Sequence, residues 1–225
     1  MNNADLSFTV QIVRNYKDLR DACGVRASAY GHHVPQLQRA LAEPDATDTE
    51  RGSAIMLCRD KATGAPVGTA RVLRSSHTRL QLEGSVRLPE WLSHQPRAEI
   101  TRLAVVPGAD PLVRLALMKS TYLYCMATQI RWMVIGARSE ALIRIYRRLG
   151  FSDALEDGAW VKLSHAGDLP HNILAFDVLS AERTWREAGH GLYPFMIESF
   201  HRDIKLFEDV PAALGGWDED LLRAA

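Results

Sequence analysis

The order of predicted elements points to an α/β (α+β) chain with a mixed, mostly antiparallel central sheet flanked by helices. Two observations carry that prediction. Short apolar or alternating segments bounded by turn residues read as strands, and two longer segments with spacings of three and four read as helices between them. A long helix also separates two strongly apolar strands, 98–106 and 132–137, and a crossover of that length joins parallel neighbours near the middle of a sheet.

Taken in order, residues 8–13 alternate apolar and polar side chains and predict a first strand. Over 16–30, Leu19, Ala22, Cys23, Arg26, Ala27 and Tyr30 share one helical face, which puts the stem of Arg26 on the buried side. Gly31, Pro35, Pro44 and the acidic run 45–50 predict an irregular stretch with one short helix over 36–42. Segments 53–59 and 66–73 form a hairpin through Asp60-Lys61-Ala62-Thr63-Gly64, where glycine supplies a positive φ. The strand 98–106 carries Glu99 and Arg102. Asp110 is an N-cap for the long helix 111–128, Ser139 caps a helix over 140–149, and Gly150 stops it. Strands over 159–163 and 172–177 precede a C-terminal helical extension. The expected division is therefore a domain over 1–179 with an extension over 180–225 packed on it.

Composition excludes several classes of function. Lys plus Arg and Asp plus Glu number 27 each, so no bulk field attracts a polyanion, and no basic stripe is interleaved with aromatics. Nucleic acid is not an expected partner. Cys23, Cys58 and Cys125 lie far apart in apolar surroundings and read as core residues in a reducing compartment. Residues 1–7 do not read as a signal peptide and no apolar run reaches the ~20 residues that span a bilayer, so the expectation is a cytoplasmic protein without an integral membrane segment. His165, His171, His190 and His201 are scattered without ligand spacing, and no metal site is expected.

Chemistry is suggested first by Glu99 and Arg102 inside an apolar strand. Simple alternation would place them on opposite faces unless a bulge intervenes, and a buried carboxylate needs a partner or a role. Arg26, Asp45, Asp48 and Arg71 sit on three further elements. If they converge they form a polar wall in which carboxylates take an ammonium group and arginine grips a carboxylate. Tyr146, on the helix over 140–149, is either core packing or a phenol able to protonate a departing thiolate. His32 and His33 form a loop pair able in principle to act as a base, with a solvated pair as the ordinary reading.

The run 141–151, with Tyr146 ahead of Arg147-Arg148-Leu149-Gly150-Phe151, resembles the late helix of GNAT acyltransferases. Arg26 with Tyr30, Asp45 with Asp48, Gly68-Thr69-Ala70-Arg71, and Glu99 with Arg102 resemble, in order and spacing, the signature of acyl-homoserine-lactone (autoinducer) synthases and long-chain N-acyl amino acid synthases, over about residues 8–178. The resemblance implies a GNAT-type sheet whose central strand and parallel neighbour splay around the donor's pantetheine arm. It further implies Glu99 as the base that takes the amine proton, Tyr146 as the acid for the thiol, and an oxyanion contact on the strand stretch Leu103, Ala104 and Val105. Arg26, Tyr30, Asp45, Asp48, Arg71 and Arg102 would bind substrate. Leu115, Leu117, Met118, Tyr122 and Met126 either line an acyl tunnel or are plain core.

Two departures separate the relatives. Where the homoserine-lactone synthases carry a tryptophan for S-adenosylmethionine, this chain reads Gly31-His32-His33-Val34-Pro35-Gln36. Where coenzyme-A GNATs have a Gly-rich pyrophosphate turn, it reads Val106-Pro107-Gly108-Ala109-Asp110-Pro111, with a proline lacking an N–H and an aspartate that repels phosphate. The implied reaction is transfer of a long acyl chain from the 4'-phosphopantetheine of an acyl carrier protein to an amino acid or other small amine, with no tightly bound cofactor. Coenzyme A as donor, homoserine-lactone synthesis, and a non-catalytic GNAT shell with the aromatic tail as its contact surface stay open as alternatives.

Overall fold

The structure, a computed structural model, describes residues 5–31 and 34–207. Its strands are β1 (Phe8–Ile12), β2 (Ser53–Asp60), β3 (Pro66–Arg74), β4 (Arg97–Val105), β5 (Trp132–Ala137), β6 (Ser152–Asp153), β7 (Trp160–Leu163), β8 (Leu169–Asp177) and β9 (Ile204–Lys205). Its helices are α1 (Tyr16–Gly31), α2 (Pro35–Leu41), α3 (Glu90–Ser93), α4 (Leu112–Ala127), α5 (Glu140–Arg148) and α6 (Ala181–Glu187). The mixed sheet runs β6-β8-β5-β4-β3-β2-β1-β9, with β7 on β8. The chain divides into two compact units interlaced in sequence: one holds Leu73–Thr101 and Cys125–Ser199, the other the described residues up to Val72, Arg102–Tyr124 and those from Phe200.

In the unit that contains the first strand, β1 pairs antiparallel with β2, from Phe8↔Asp60 to Ile12↔Met56, and buries Phe8, Val10 and Ile12 on one face as its alternation predicts. Its other edge pairs in parallel with β9 at Val10↔Ile204. Asn15 starts α1: its side-chain oxygen accepts from the Asp18 amide at 2.8 Å, which satisfies an otherwise orphaned N–H. Leu19, Ala22 and Cys23 then pack with Val13, Ile55 and Leu57 into a small apolar core. The hairpin turn closes as expected, with Gly64 at φ 71° and the Asp60 carboxylate accepting from the amide and hydroxyl of Thr63.

Helix α4 presses on β3 where the sequence offers a glycine. A Cβ at Gly68 would lie 2.5 Å from Val113 Cγ1 and 3.2 Å from Leu117 Cδ1. The helix is buried on so much of its surface that Lys119, Ser120 and Thr121 are buried with its apolar residues, whereas Met126 is exposed. Ser120 and Thr121 donate their hydroxyls to the carbonyls of Ala116 and Met118 in their own helix, and burial pushes the Lys119 amine down to about 8.

In the other unit, β4 and β5 pair in parallel from Arg97↔Trp132 to Ile100↔Ile135, and β8 lies antiparallel along β5 from Trp132↔Asp177 to Ala137↔Asn172. Leu73, Leu82, Leu92, Val134, Leu163 and Ile173 belong to its apolar core. Ser139 Oγ accepts from the Leu142 amide at the start of α5, and Gly150 at φ 99° ends it. An aromatic row of Tyr146, Phe151, Phe176 and Trp185 follows, with ring centroids 5.6, 5.0 and 5.5 Å apart, and the Trp185 indole donates to the Leu149 carbonyl at 3.1 Å. The segment after 180 holds α6, a π-helical turn (Pro194–Glu198) and β9, so it is helical only in part as far as residue 207.

The predicted alternation along β4 fails at one residue. Arg102 has φ 55°, the left-handed conformation that side chains other than glycine rarely adopt, and this interrupts the two-residue period. Gly68→Ala is expected to lower stability by about 1–3 kcal/mol, because the β-branched Val113 cannot swing clear of the new methyl. Urea unfolding of the two proteins checks this, and an unchanged midpoint would contradict the close approach.

Candidate active site

Asp45 and Asp48 owe their positions to a reciprocal capping box. Each carboxylate accepts from the other's amide, Asp48 Oδ2 at 3.0 Å and Asp45 Oδ1 at 3.1 Å, which closes the 3-10 turn Ala46–Thr49. The turn thus holds both acids where three arginines meet them. Arg26, from the buried face of α1, donates Nη1 to both Asp48 oxygens at 2.9 and 2.8 Å. Arg71, from β3, donates Nη1 to Asp48 Oδ1 at 2.9 Å and Asp45 Oδ1 at 2.7 Å. Arg102, turned by its left-handed backbone, donates Nη2 to Asp45 Oδ2 at 3.1 Å.

The members of this cluster differ in access. The side chains of Arg26, Asp48 and Arg71 are at most 1% exposed, whereas Asp45 is 33% and Arg102 16% exposed. The inner three form a structural clamp, and the outer two reach solvent. Three guanidiniums face two carboxylates, which leaves one positive charge in excess among the five. Burial pushes the Asp45 carboxyl up, but the guanidiniums of Arg71 and Arg102 outweigh it and hold it below the usual range. Tyr30 donates its hydroxyl to the Leu103 carbonyl at 3.3 Å, tying α1 to the β4 stretch that continues through Ala104 and Val105.

Glu99 is sealed within the other unit, 1% exposed. Its Oε2 accepts from the Leu82 amide at 3.1 Å, and its Oε1 lies 3.4 Å from Nε2 of His165. The 3-10 turn that presents Leu82, Gln81–Gly84, is fixed by Glu83, whose carboxylate accepts from the Leu80 amide and from both Nε and Nη2 of Arg97 at the start of β4. Arg97 and Glu83 thus position the amide that Glu99 needs. His165 is not among the residues the sequence points to, where it figures only as one of four histidines without metal-ligand spacing. Tyr146 is 5% exposed and packs against Phe151. His32 and His33 lie outside the described residues.

At the start of α4 the Leu112 amide donates to Asp110 Oδ1 at 2.8 Å, so the predicted cap is present and occupies an N–H that a phosphate would otherwise use. None of the helices among the described residues is long and apolar enough to cross a membrane.

No family model and no curated protein matches the chain in sequence. Solved structures do match it in shape. FeeM, an N-acyl amino acid synthase from uncultured soil microbes, superposes with a TM-score of 0.58 at 15% identity, covering 84% of this chain and 97% of its own. The chain has the GNAT fold. BjaI, a CoA-dependent acyl-homoserine lactone synthase solved with SAM and isopentyl-CoA, gives 0.55 at 17% identity, covering 96% of this chain and 98% of its own. A Desulfovibrio desulfuricans protein assigned as a GNAT-family acetyltransferase gives 0.54 at 16% identity, covering 76% and 99%. The GNAT-type architecture expected from the sequence motifs is therefore the one observed.

Asp48→Asn is expected to destabilise the protein by about 3–5 kcal/mol, because it leaves Arg26 and Arg71 buried against a neutral amide. Urea titration measures this, and a loss below about 1 kcal/mol would reject the clamp. The lowered pKa of Asp45 adds stability that is complete above its unfolded value of about 3.9 and is lost as pH falls through the folded one. Asp45→Asn should therefore flatten the acid limb of a stability profile between pH 5 and pH 2, relative to wild type.

Proposed function

We propose that this chain is an N-acyltransferase that joins an acyl group from a carrier-protein thioester to the amine of an amino acid. The observation that carries the reading is Glu99, a carboxylate removed from water on the central strand of a GNAT sheet, with one oxygen on the Leu82 amide and the other beside His165. In this reaction the amine nitrogen attacks the thioester carbonyl, a C–N bond forms and the C–S bond breaks. Glu99 takes a proton from the amine and Tyr146 supplies one to the departing thiol. The resemblance assigns the oxyanion contact to the backbone of β4 near Leu103 and Ala104.

The choice of an amino acid rests on charge. The cluster sets three guanidiniums against two carboxylates, and its solvent-reaching members Arg102 and Asp45 are of the charges that take the carboxylate and ammonium of a zwitterion. The choice of donor rests on Asp110, whose carboxylate caps α4 where a pyrophosphate would need free amides. FeeM, among the similar structures, is an N-acyl amino acid synthase. A second reading, homoserine-lactone synthesis from S-adenosylmethionine, is supported by the likeness in fold to BjaI, which extends over 96% of this chain, and brings coenzyme A back as a donor.

Long-chain acyl carrier protein, or the same chain on coenzyme A, incubated with pooled amino acids should give an N-acyl amino acid by mass spectrometry, with the carrier protein preferred. Replacing the amino acids by S-adenosylmethionine tests the second reading through lactone formation. Glu99→Gln should slow turnover by about 10²–10⁴-fold while leaving the fold intact. Thiol release that ignores the amine, or no product from either donor, would refute the assignment.

A further inference from the structure

An amino acid arrives as an ammonium ion, and two of its protons must leave before the nitrogen is an amide. One ends on the departing thiol. The other must reach water, and Glu99 cannot deliver it, because its side chain is only 2% exposed. The imidazole of His165 turns Nε2 to Glu99 Oε1 at 3.4 Å, and although its Nδ1 is buried the side chain as a whole is 15% exposed, so the ring stands between the sealed carboxylate and solvent.

The place of that ring is built. His165 sits in a 3-10 turn (Ser164–Ala166) that leaves through Gly167 at φ 72°. Ser85 holds the turn: its Oγ accepts from the Ser164 amide at 3.0 Å and lies 3.0 Å from the Ser164 hydroxyl. The same chain segment, through Leu82, donates the amide that fixes the other oxygen of Glu99. One short stretch, Leu82 to Ser85, therefore sets the position of both members of the pair.

We propose that His165 is the positioning and proton-relaying partner of Glu99, a role that rests on the acyltransferase reading above. Glu99 takes the ammonium proton and passes it to Nε2 of the imidazole, and the same nitrogen, since Nδ1 is buried, releases it to water as the ring swings from the carboxylate, restoring a carboxylate and a neutral ring. No electron pair is gained or lost by the protein. The restored Glu99 takes the second amine proton as the C–N bond forms and sheds it by the same route, and the phenolate left when Tyr146 protonates the thiolate regains one from water, so that one proton is released overall.

Of the other ionisable groups on the surrounding elements, Arg74 at the end of β3 is buried, and those named next are engaged or exposed. Glu83 is engaged by Arg97 and the Leu80 amide, and Arg97 by Glu83 and the Ser93 carbonyl. Lys162 on β7 and Asp168 after the turn are exposed. On β8, His171 turns its Nδ1 to the Leu169 carbonyl at 2.7 Å, and burial lowers its pKa.

Three measurements on the full chain test the proposal. With carrier-bound acyl donor and amino acids, His165→Gln, which keeps a polar amide but cannot titrate, should lose about 10–100-fold in kcat with little change in KM and should alter the acid limb of the pH profile. His165→Ala should be partly rescued by added imidazole. By NMR, the His165 ring should titrate at least about one unit lower in Glu99→Gln than in wild type, because the carboxylate that favours the imidazolium is gone. A His165→Gln protein with the wild-type rate and pH profile, or a ring indifferent to Glu99→Gln, would overturn the pair. The NMR arm needs no turnover. If wild type proves inactive with every donor while the ring still responds to Glu99→Gln, the coupling stands and the acyltransferase assignment is what fails.

Discussion

Asp48 holds one half of this molecule in order. It has no contact with water, yet its two oxygens face guanidiniums from a helix and from a strand, and its amide closes the turn that carries it. Removing such a group strands two cations in a medium that cannot solvate them, which is far less favourable than never having buried any. The geometry of α1 against β3 and the presentation of Asp45 follow from that one carboxylate. What remains adjustable lies at its rim, where Arg102 and Asp45 keep a share of solvent.

Glu99 is buried to the same degree but is treated differently. One of its oxygens meets a backbone amide and the other a histidine whose charge depends on its protonation. A carboxylate neutralised by arginines is a poor base, because its charge is already committed, whereas one beside a titratable ring can exchange a proton with it. The contrast between these two buried acids separates a scaffold from a proposed catalytic group.

Much of this was legible before any coordinates. The face of α1 that buries Arg26 follows from apolar spacing, the hairpin from Gly64, and the ends of α5 from Ser139 and Gly150. The reciprocal cap of Asp45 and Asp48 is written in their three-residue separation, although the sequence reading took both as substrate contacts. Three features were hidden for physical reasons. The left-handed backbone at Arg102 has no sequence marker, since the residue is neither glycine nor asparagine. His165 and Glu99 meet only through packing of distant turns. Strand β9 has two residues, too few to show a period.

That last strand bears on how the protein is made. Strand β1 leaves the ribosome before β9, which covers one of its two edges and is translated almost a whole described chain later. Until then a row of peptide groups beside Val10 stands open to any extended segment of a neighbouring nascent chain. Crowded polysomes would be the place where this polypeptide is most apt to stick to itself.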